Sequence, residues 1–185
     1  MRPDDLPEVL SVQAQAYGSA MLESEAALAS RLHLSPATCW VTTDAMDVMA
    51  LANVDARHAP ARAATSNAER SRVAGYLFTH PWQIAAPPPL DTVLDTLPDA
   101  PDCWYVHDMA LAPRTRAAGV ASRLYAAALE SARGLGLQVS ALVAVQQSQG
   151  FWARFGYAVA TDVSPLIAAK LAGYGDGAVF MTRRL

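Results

Sequence analysis

Two periods of apolar residues divide the chain into helices and strands. Leu6, Val9, Leu10, Gln13 and Tyr17 share a helical face, and Met21 to Leu32 is rich in Ala, Leu and Glu. Two short helices are therefore predicted, with a break at Tyr17-Gly18-Ser19. Cys39 to Thr43 and Arg72 to Thr79 read as neighbouring strands, the second ending at His80-Pro81 because proline cannot continue a central ladder. The intervening residues 44–71, rich in Ala, Arg, Asn and Asp, read as a surface insertion. After a turn at Ala85-Ala86-Pro87-Pro88-Pro89, the spacing of Leu90, Val93, Leu94 and Leu97 predicts one more short helix.

The strongest strand signal runs from Asp102 to Ala112, where Trp104, Tyr105, Val106, Met109 and Leu111 are interrupted by the polar pair His107-Asp108. Beyond a loop at Pro113 to Ala118, Val120, Leu124, Ala127, Ala128, Ser131 and Leu135 trace one face of a helix ended by Gly134 and Gly136. Gln138 to Val145 reads as a strand, Ser148 to Phe155 as a helix capped by Gly156, and Tyr157 to Ala160 and Ala178 to Thr182 as strands. That order predicts an α/β protein, a three-layer α/β/α fold on a mixed, mostly antiparallel sheet, forming one domain over residues 1–185.

Composition narrows the function classes. A hydrophobic fraction of 52% supplies a sizeable core for 185 residues, and a net charge of −3 gives no global attraction to nucleic acid or to an anionic membrane. No run approaches the roughly 18 apolar residues of a membrane span. Met1-Arg2-Pro3-Asp4-Asp5 lacks the basic-then-apolar pattern of a signal peptide, so a cytoplasmic protein is expected. Cys39 and Cys103, each followed by Trp in an apolar stretch, read as buried strand packing, and no metal site is expected.

The segment Arg116-Ala117-Ala118-Gly119-Val120-Ala121 lies directly between a strand and a helix, with Arg114 and Arg123 beside it. A helix N-terminus offers unpaired backbone N–H groups and the positive end of the macrodipole, and small residues let a phosphate reach them. An anion cradle is predicted.

Asp108-Met109-Ala110-Leu111-Ala112-Pro113 leading into Arg116-x-x-Gly119-x-Ala121 resembles the GNAT acyltransferase superfamily, whose coenzyme A loop reads Gln/Arg-x-x-Gly-x-Gly/Ala. About thirty residues on, Phe151-Trp152-Ala153-Arg154-Phe155-Gly156-Tyr157 is similar to a second motif of that family. The resemblance implies an N-acyltransferase using acetyl-CoA as co-substrate and acting on a small-molecule or peptide amine. It places the pantetheine arm on Met109, Ala110 and Leu111, and the pyrophosphate on Arg116, Ala117, Ala118, Gly119, Val120, Ala121 and Ser122, where the neighbouring Arg114 adds positive charge. Ser148 and Trp152 fall near the thiol. Trp152 stands where many members carry a tyrosine that protonates the leaving thiolate, and an indole cannot supply that proton. Tyr157, Tyr105 or water must serve instead.

Amine attack also needs a base. His107 and Asp108 are the candidates, because one of two consecutive strand residues must face the cleft. On the acceptor side the resemblance points to Tyr17, Glu23 and Glu25, with Tyr76 and Trp82; a Glu23 carboxylate could recognise an ammonium group. A final exposed strand could pair two copies into a homodimer. An acyl-CoA-binding sensor that has lost turnover is the alternative. A nucleotide-binding protein is disfavoured, since neither Gly-x-Gly-x-x-Gly nor Gly-Lys-Ser/Thr is present.

Overall fold

A computed structural model describes residues 1–44, 72–116 and 119–185. The expected insertion lies outside the described residues except for Asp44.

Helix α1 (Leu6–Ala16) and helix α2 (Glu25–Leu34) open the chain. α2 begins later than the composition suggested because Ser24 is its N-cap, its hydroxyl accepting from the Ala27 N–H. Residues 22–24 are thereby left as a connection that reaches the functional site.

Among the described residues six strands follow: β1 (Trp40–Thr43), β2 (Val73–Trp82), β3 (Cys103–Leu111), β4 (Val139–Ala144), β5 (Ala158–Val159) and β6 (Val179–Arg184). They form one sheet in the order β1-β2-β3-β4-β6-β5, with only the β3–β4 neighbours parallel. Helix α3 (Val120–Arg133) is the β3–β4 crossover, and the short α4 (Gln149–Ala153) and α5 (Pro165–Ala172) flank the final strands. The expected three-layer, mixed and mostly antiparallel α/β architecture is present.

Apolar side chains pack on both faces of the sheet. Trp104, Val106 and Leu77 pack against Leu124, Tyr125 and Trp152 of α3 and α4. On the opposite face, Tyr76, Phe78, Ala110 and Ala112 meet Leu6, Val9 and Leu28 of α1 and α2. Cys103 and Tyr105 lie with Ile167 of α5 and Phe180.

Several local expectations are corrected. β2 continues through Pro81, which faces Trp104 of β3, because β1 pairs with β2 only as far as Leu77. Beyond that point the missing proline N–H interrupts no ladder on the β1 side. The helix expected over Leu90 to Leu97 does not form. Its backbone is used elsewhere: the Leu94 N–H donates to Ser30, Thr92 O accepts from Arg31, and Asp91 takes a φ of 51° while its carboxylate accepts from Ser24. α5 was not foreseen, although Ser164 before Pro165 is an N-cap signal, and the Ser164 hydroxyl accepts from the Ile167 N–H. The final strand β6 lies between β4 and β5, so it is not the sheet edge that the homodimer expectation required.

Candidate active site

β3 and β4 stay paired for only two positions, Trp104 with Ser140 and Tyr105 with Ala141, and then diverge. Both strands run on, β3 to Leu111 and β4 to Ala144. The gap between them is a cleft of about 650 Å³ lined along β3 by Val106 to Leu111 and across from it by Val143, Val145 and Gln146. No described strand pairs with β3 on that side beyond Tyr105.

One end of the cleft is the start of α3. Gly119 is its N-cap at φ +70°, and the first intrahelical bond runs from the Arg123 N–H to Gly119 O. The N–H groups of Val120, Ala121 and Ser122 therefore have no intrahelical acceptor, and these residues line the cleft with Gly119 and Arg116. Ala117 and Ala118 lie outside the described residues. Arg114 points away from this end. It pairs with Asp44 at 3.2 Å and donates to Val73 O.

The middle of the cleft carries Ser148, Phe151, Trp152, Arg154 and Phe155. Trp152 is 7% exposed and packs edge-on against Phe151 and Tyr157. Neither alternative proton donor reaches the cleft. The Tyr157 hydroxyl is held among Tyr125 and Ser140, and Tyr105, 1% exposed, packs in the core with Cys103, Ile167 and Phe180. Burial pushes the Tyr157 and Tyr105 hydroxyls well above their ordinary range, as neighbouring tyrosines also do.

The other end of the cleft holds titratable groups. The β2–β3 register shifts between Phe78 and Thr79, which pair with Asp108 and Val106, so His107 is the extra residue of a β-bulge. Cys103 and Tyr105 share a face before it and Ala110 and Ala112 after it, while Met109 and Leu111 pack with Trp104 and Val106 on the opposite face. The bulge shifts the alternation by one, and His107 and Asp108 both line the cleft, as do their neighbours from Val106 to Leu111. Of the two consecutive strand residues, at least one of which was expected to face the cleft, both line it.

Asp108 accepts from the Tyr17 and Tyr76 hydroxyls, each at 2.6 Å. Burial raises its carboxyl above the ordinary range; the two hydroxyls oppose the shift and Glu23 adds to it. Tyr17 lines the cleft, whereas Tyr76 stands behind Asp108. Trp82 does not line the cleft: its indole donates to Ala86 O and it packs edge-on against His80.

His107 Nε2 lies 2.6 Å from Glu23 Oε1. Glu23 Oε2 accepts from the Asp91 N–H and lies 3.7 Å from Arg31 Nη2. Burial alone would raise the Glu23 carboxyl, but His107, Arg31 and the Asp91 N–H together leave it below the ordinary range. At 3% side-chain exposure, Glu23 is already saturated and is not a free receptor for a substrate ammonium. Glu25, in the first turn of α2, is exposed and does not line the cleft.

Sequence reasoning missed several lining residues. Tyr174 reaches the cleft from the connection after α5, its hydroxyl donating to Pro88 O at 2.7 Å, and burial pushes it up to about 12. Gln146 lines the exit of β4, where it and Gln147 both adopt positive φ. Glutamine carries no signal for that conformation, which glycine or asparagine would have announced.

The model of the acetyltransferase (GNAT) family matches residues 47–157. No curated protein sequence matches the chain. Among solved structures, a GNAT-like decarboxylase, GphF, in complex with isobutyryl-CoA aligns over 100% of this chain and 96% of its own, at TM-score 0.68 and 16% identity. Ard1 from Thermoplasma volcanium aligns over 100% and 94%, at TM-score 0.63 and 15% identity. The NatC complex bound to Gag peptide and CoA aligns over 100% and 92%, at TM-score 0.64 and 10% identity. At these identities the likeness is one of fold.

Proposed function

Because the chain belongs to the GNAT acetyltransferase family, we propose that it is a cytoplasmic, single-domain N-acyltransferase that moves an acetyl group from acetyl-CoA directly to a primary amine. The observation that carries this reading is the cleft itself. It joins the α3 N–H groups that lack intrahelical acceptors at one end to His107 and Asp108 at the other. Similar folds bound to CoA and isobutyryl-CoA support the choice of thioester.

The N–H groups of Val120, Ala121 and Ser122, with Arg116, bind the pyrophosphate. Beyond Tyr105, the backbone of β3 holds the pantetheine amides as an added strand would. Trp152 packs against the thioester end and donates at most a hydrogen bond. As the amine nitrogen bonds to the acyl carbon and the carbon–sulfur bond breaks, His107 takes the nitrogen's proton and the thiolate leaves. Asp108, holding two hydroxyls, orients Tyr17 at the acceptor side. Direct transfer requires mainly that the reactants be positioned, with the base within reach.

The test is thiol release from acetyl-CoA across a panel of small amines and peptides. Amine-dependent release supports the proposal. Tight acyl-CoA binding with no turnover against any amine would instead favour the sensor. Thiol release also separates acyl transfer from decarboxylation, which leaves a thioester intact.

A further inference from the structure

The Glu23–His107 contact sits at the end of a chain of buried restraints. Gln13, 1% exposed on α1, uses its side-chain amide twice on the Glu23 backbone: Nε2 donates to Glu23 O, and Oε1 accepts from the Glu23 N–H. A glutamine that pairs with both backbone groups of one residue fixes that residue as a neighbouring strand would. Glu23 Oε2 is then held by the Asp91 N–H and faces the Arg31 guanidinium, itself tied to Ala27 O and Thr92 O. Oε1 is left directed at His107 Nε2 at 2.6 Å. The other ring nitrogen, Nδ1, is buried and has no hydrogen-bond partner among the described residues.

A carboxylate can only accept, so Nε2 must carry the proton in this contact. A neutral ring protonated at Nε2 has its lone pair on Nδ1. The opposite tautomer would set a lone pair against Glu23 and leave a buried Nδ1–H without an acceptor among the described residues, which disfavours it. We propose that Glu23 is a positioning residue, which holds His107 in the Nε2–H tautomer so that Nδ1 is the nitrogen that receives the proton of the acceptor amine. Glu23 does not touch the amine. Its carboxylate acts through the ring, orienting it and balancing the charge that the ring gains on proton transfer. The charged and titratable groups that meet the ring are Glu23 from the α1–α2 connection, His80 from β2, and Tyr105 and Asp108 from β3, with Arg31 of α2 behind Glu23. Glu23 is the one that meets a ring nitrogen at hydrogen-bond distance.

The catalytic half of this proposal rests on the acyltransferase reading, whereas the tautomer does not. The first measurement is therefore made on the unaltered protein: long-range proton–nitrogen NMR of the histidine rings at pH 8, with His107→Gln identifying the signals of His107. A protonated Nε2 with a bare Nδ1 is expected. A ring protonated at Nδ1, or at both nitrogens, overturns the proposal whether or not any amine is acylated. The second is steady-state kinetics of Glu23→Gln, and of Glu23→Leu combined with Arg31→Met, which removes the buried charges together and so protects folding. Both variants should bind CoA with unchanged Kd while kcat falls at least ~10-fold, against the 10²–10⁴-fold that a general base contributes in full. Wild-type kcat in a folded variant overturns the positioning role.

Discussion

Gly119 is the position at which folding and ligand binding can be separated by substitution. Its φ of +70° lies in the left-handed region, where an L side chain costs about 1–2 kcal/mol. Among the described residues, a Cβ there would meet only the Arg123 guanidinium, at 3.6 Å, which is ordinary contact. Gly119→Ala should therefore pay the backbone cost and little else. At about 2–4 °C per kcal/mol for a chain of this size, the expected loss in Tm is roughly 2–8 °C. Gly119→Glu pays the same cost but sets a carboxylate before α3, where the macrodipole returns about 0.3–1 kcal/mol. It should melt no lower than the alanine variant. In binding the two should part: the carboxylate occupies the N–H groups that the pyrophosphate needs and repels it, so CoA affinity should fall at least ~10-fold, a loss of about 1.4 kcal/mol. Thermal melts and titration calorimetry of both variants are the assay. A Gly119→Glu protein with wild-type CoA affinity would refute the cradle, and a Gly119→Ala protein with unchanged Tm would refute the strain.

Two more outcomes follow from buried rings. Burial, with His107 nearby, holds His80 well below the ordinary imidazole range, so its ring is neutral when folded and titrates near pH ~6.5 when unfolded. Its contribution to stability is complete above that pH and is lost as pH falls, by at most about 1.4 kcal/mol per unit; denaturant unfolding of His80→Phe should show a shallower decline from pH 6.5 to 5. Trp152→Phe should weaken acyl-CoA binding with kcat largely kept, and Trp152→Tyr should keep or raise activity; steady-state kinetics that show intact affinity with abolished turnover in the phenylalanine variant would assign the indole to the chemical step.

The layers and most elements were legible because they rest on local signals: apolar period, N-caps, and glycines such as Gly156 at φ +85°. The helix start at which the cradle is proposed was legible for the same reason, since Gly119 and the following residues form one continuous segment. What was not legible depends on side chains far apart in sequence. Glu23 meets His107 across 84 positions and Tyr17 meets Asp108 across 91. No local pattern separates a free carboxylate from one enclosed by Arg31 and Asp91, so Glu23 read as a receptor for ammonium. Arg114 read as a phosphate ligand for its nearness to Gly119, but it is turned toward Asp44. The helix expected over Leu90 to Leu97 failed for a related reason: its spacing was sound, yet Ser30 and Arg31 of α2 take up its backbone groups.

The bulge at His107 allows the sharpest separation of scaffold from chemistry. If His107 is skipped, Cys103, Tyr105, Asp108, Ala110 and Ala112 alternate without a break against Trp104, Val106, Met109 and Leu111. The apolar pattern of β3 is therefore that of a regular strand with one inserted residue. Without the shift that the insertion brings, Asp108 would face Trp104, Val106 and Leu124, where a carboxylate lacking donors costs several kcal/mol. With it, Asp108 meets two tyrosine hydroxyls and His107 occupies the extra place beside Glu23. Deleting His107 should restore uninterrupted pairing with β2, keep every other β3 side chain on its present face, and leave Glu23 with Arg31 as its charge partner. The deletion protein should unfold cooperatively and bind CoA as the parent does, while amine acylation falls ~10²–10⁴-fold with the loss of the base. Calorimetry and the thiol-release assay measure both. If the deletion protein fails to fold or loses CoA affinity along with activity, the bulge is part of the scaffold, and the division between strand and catalytic insertion is wrong.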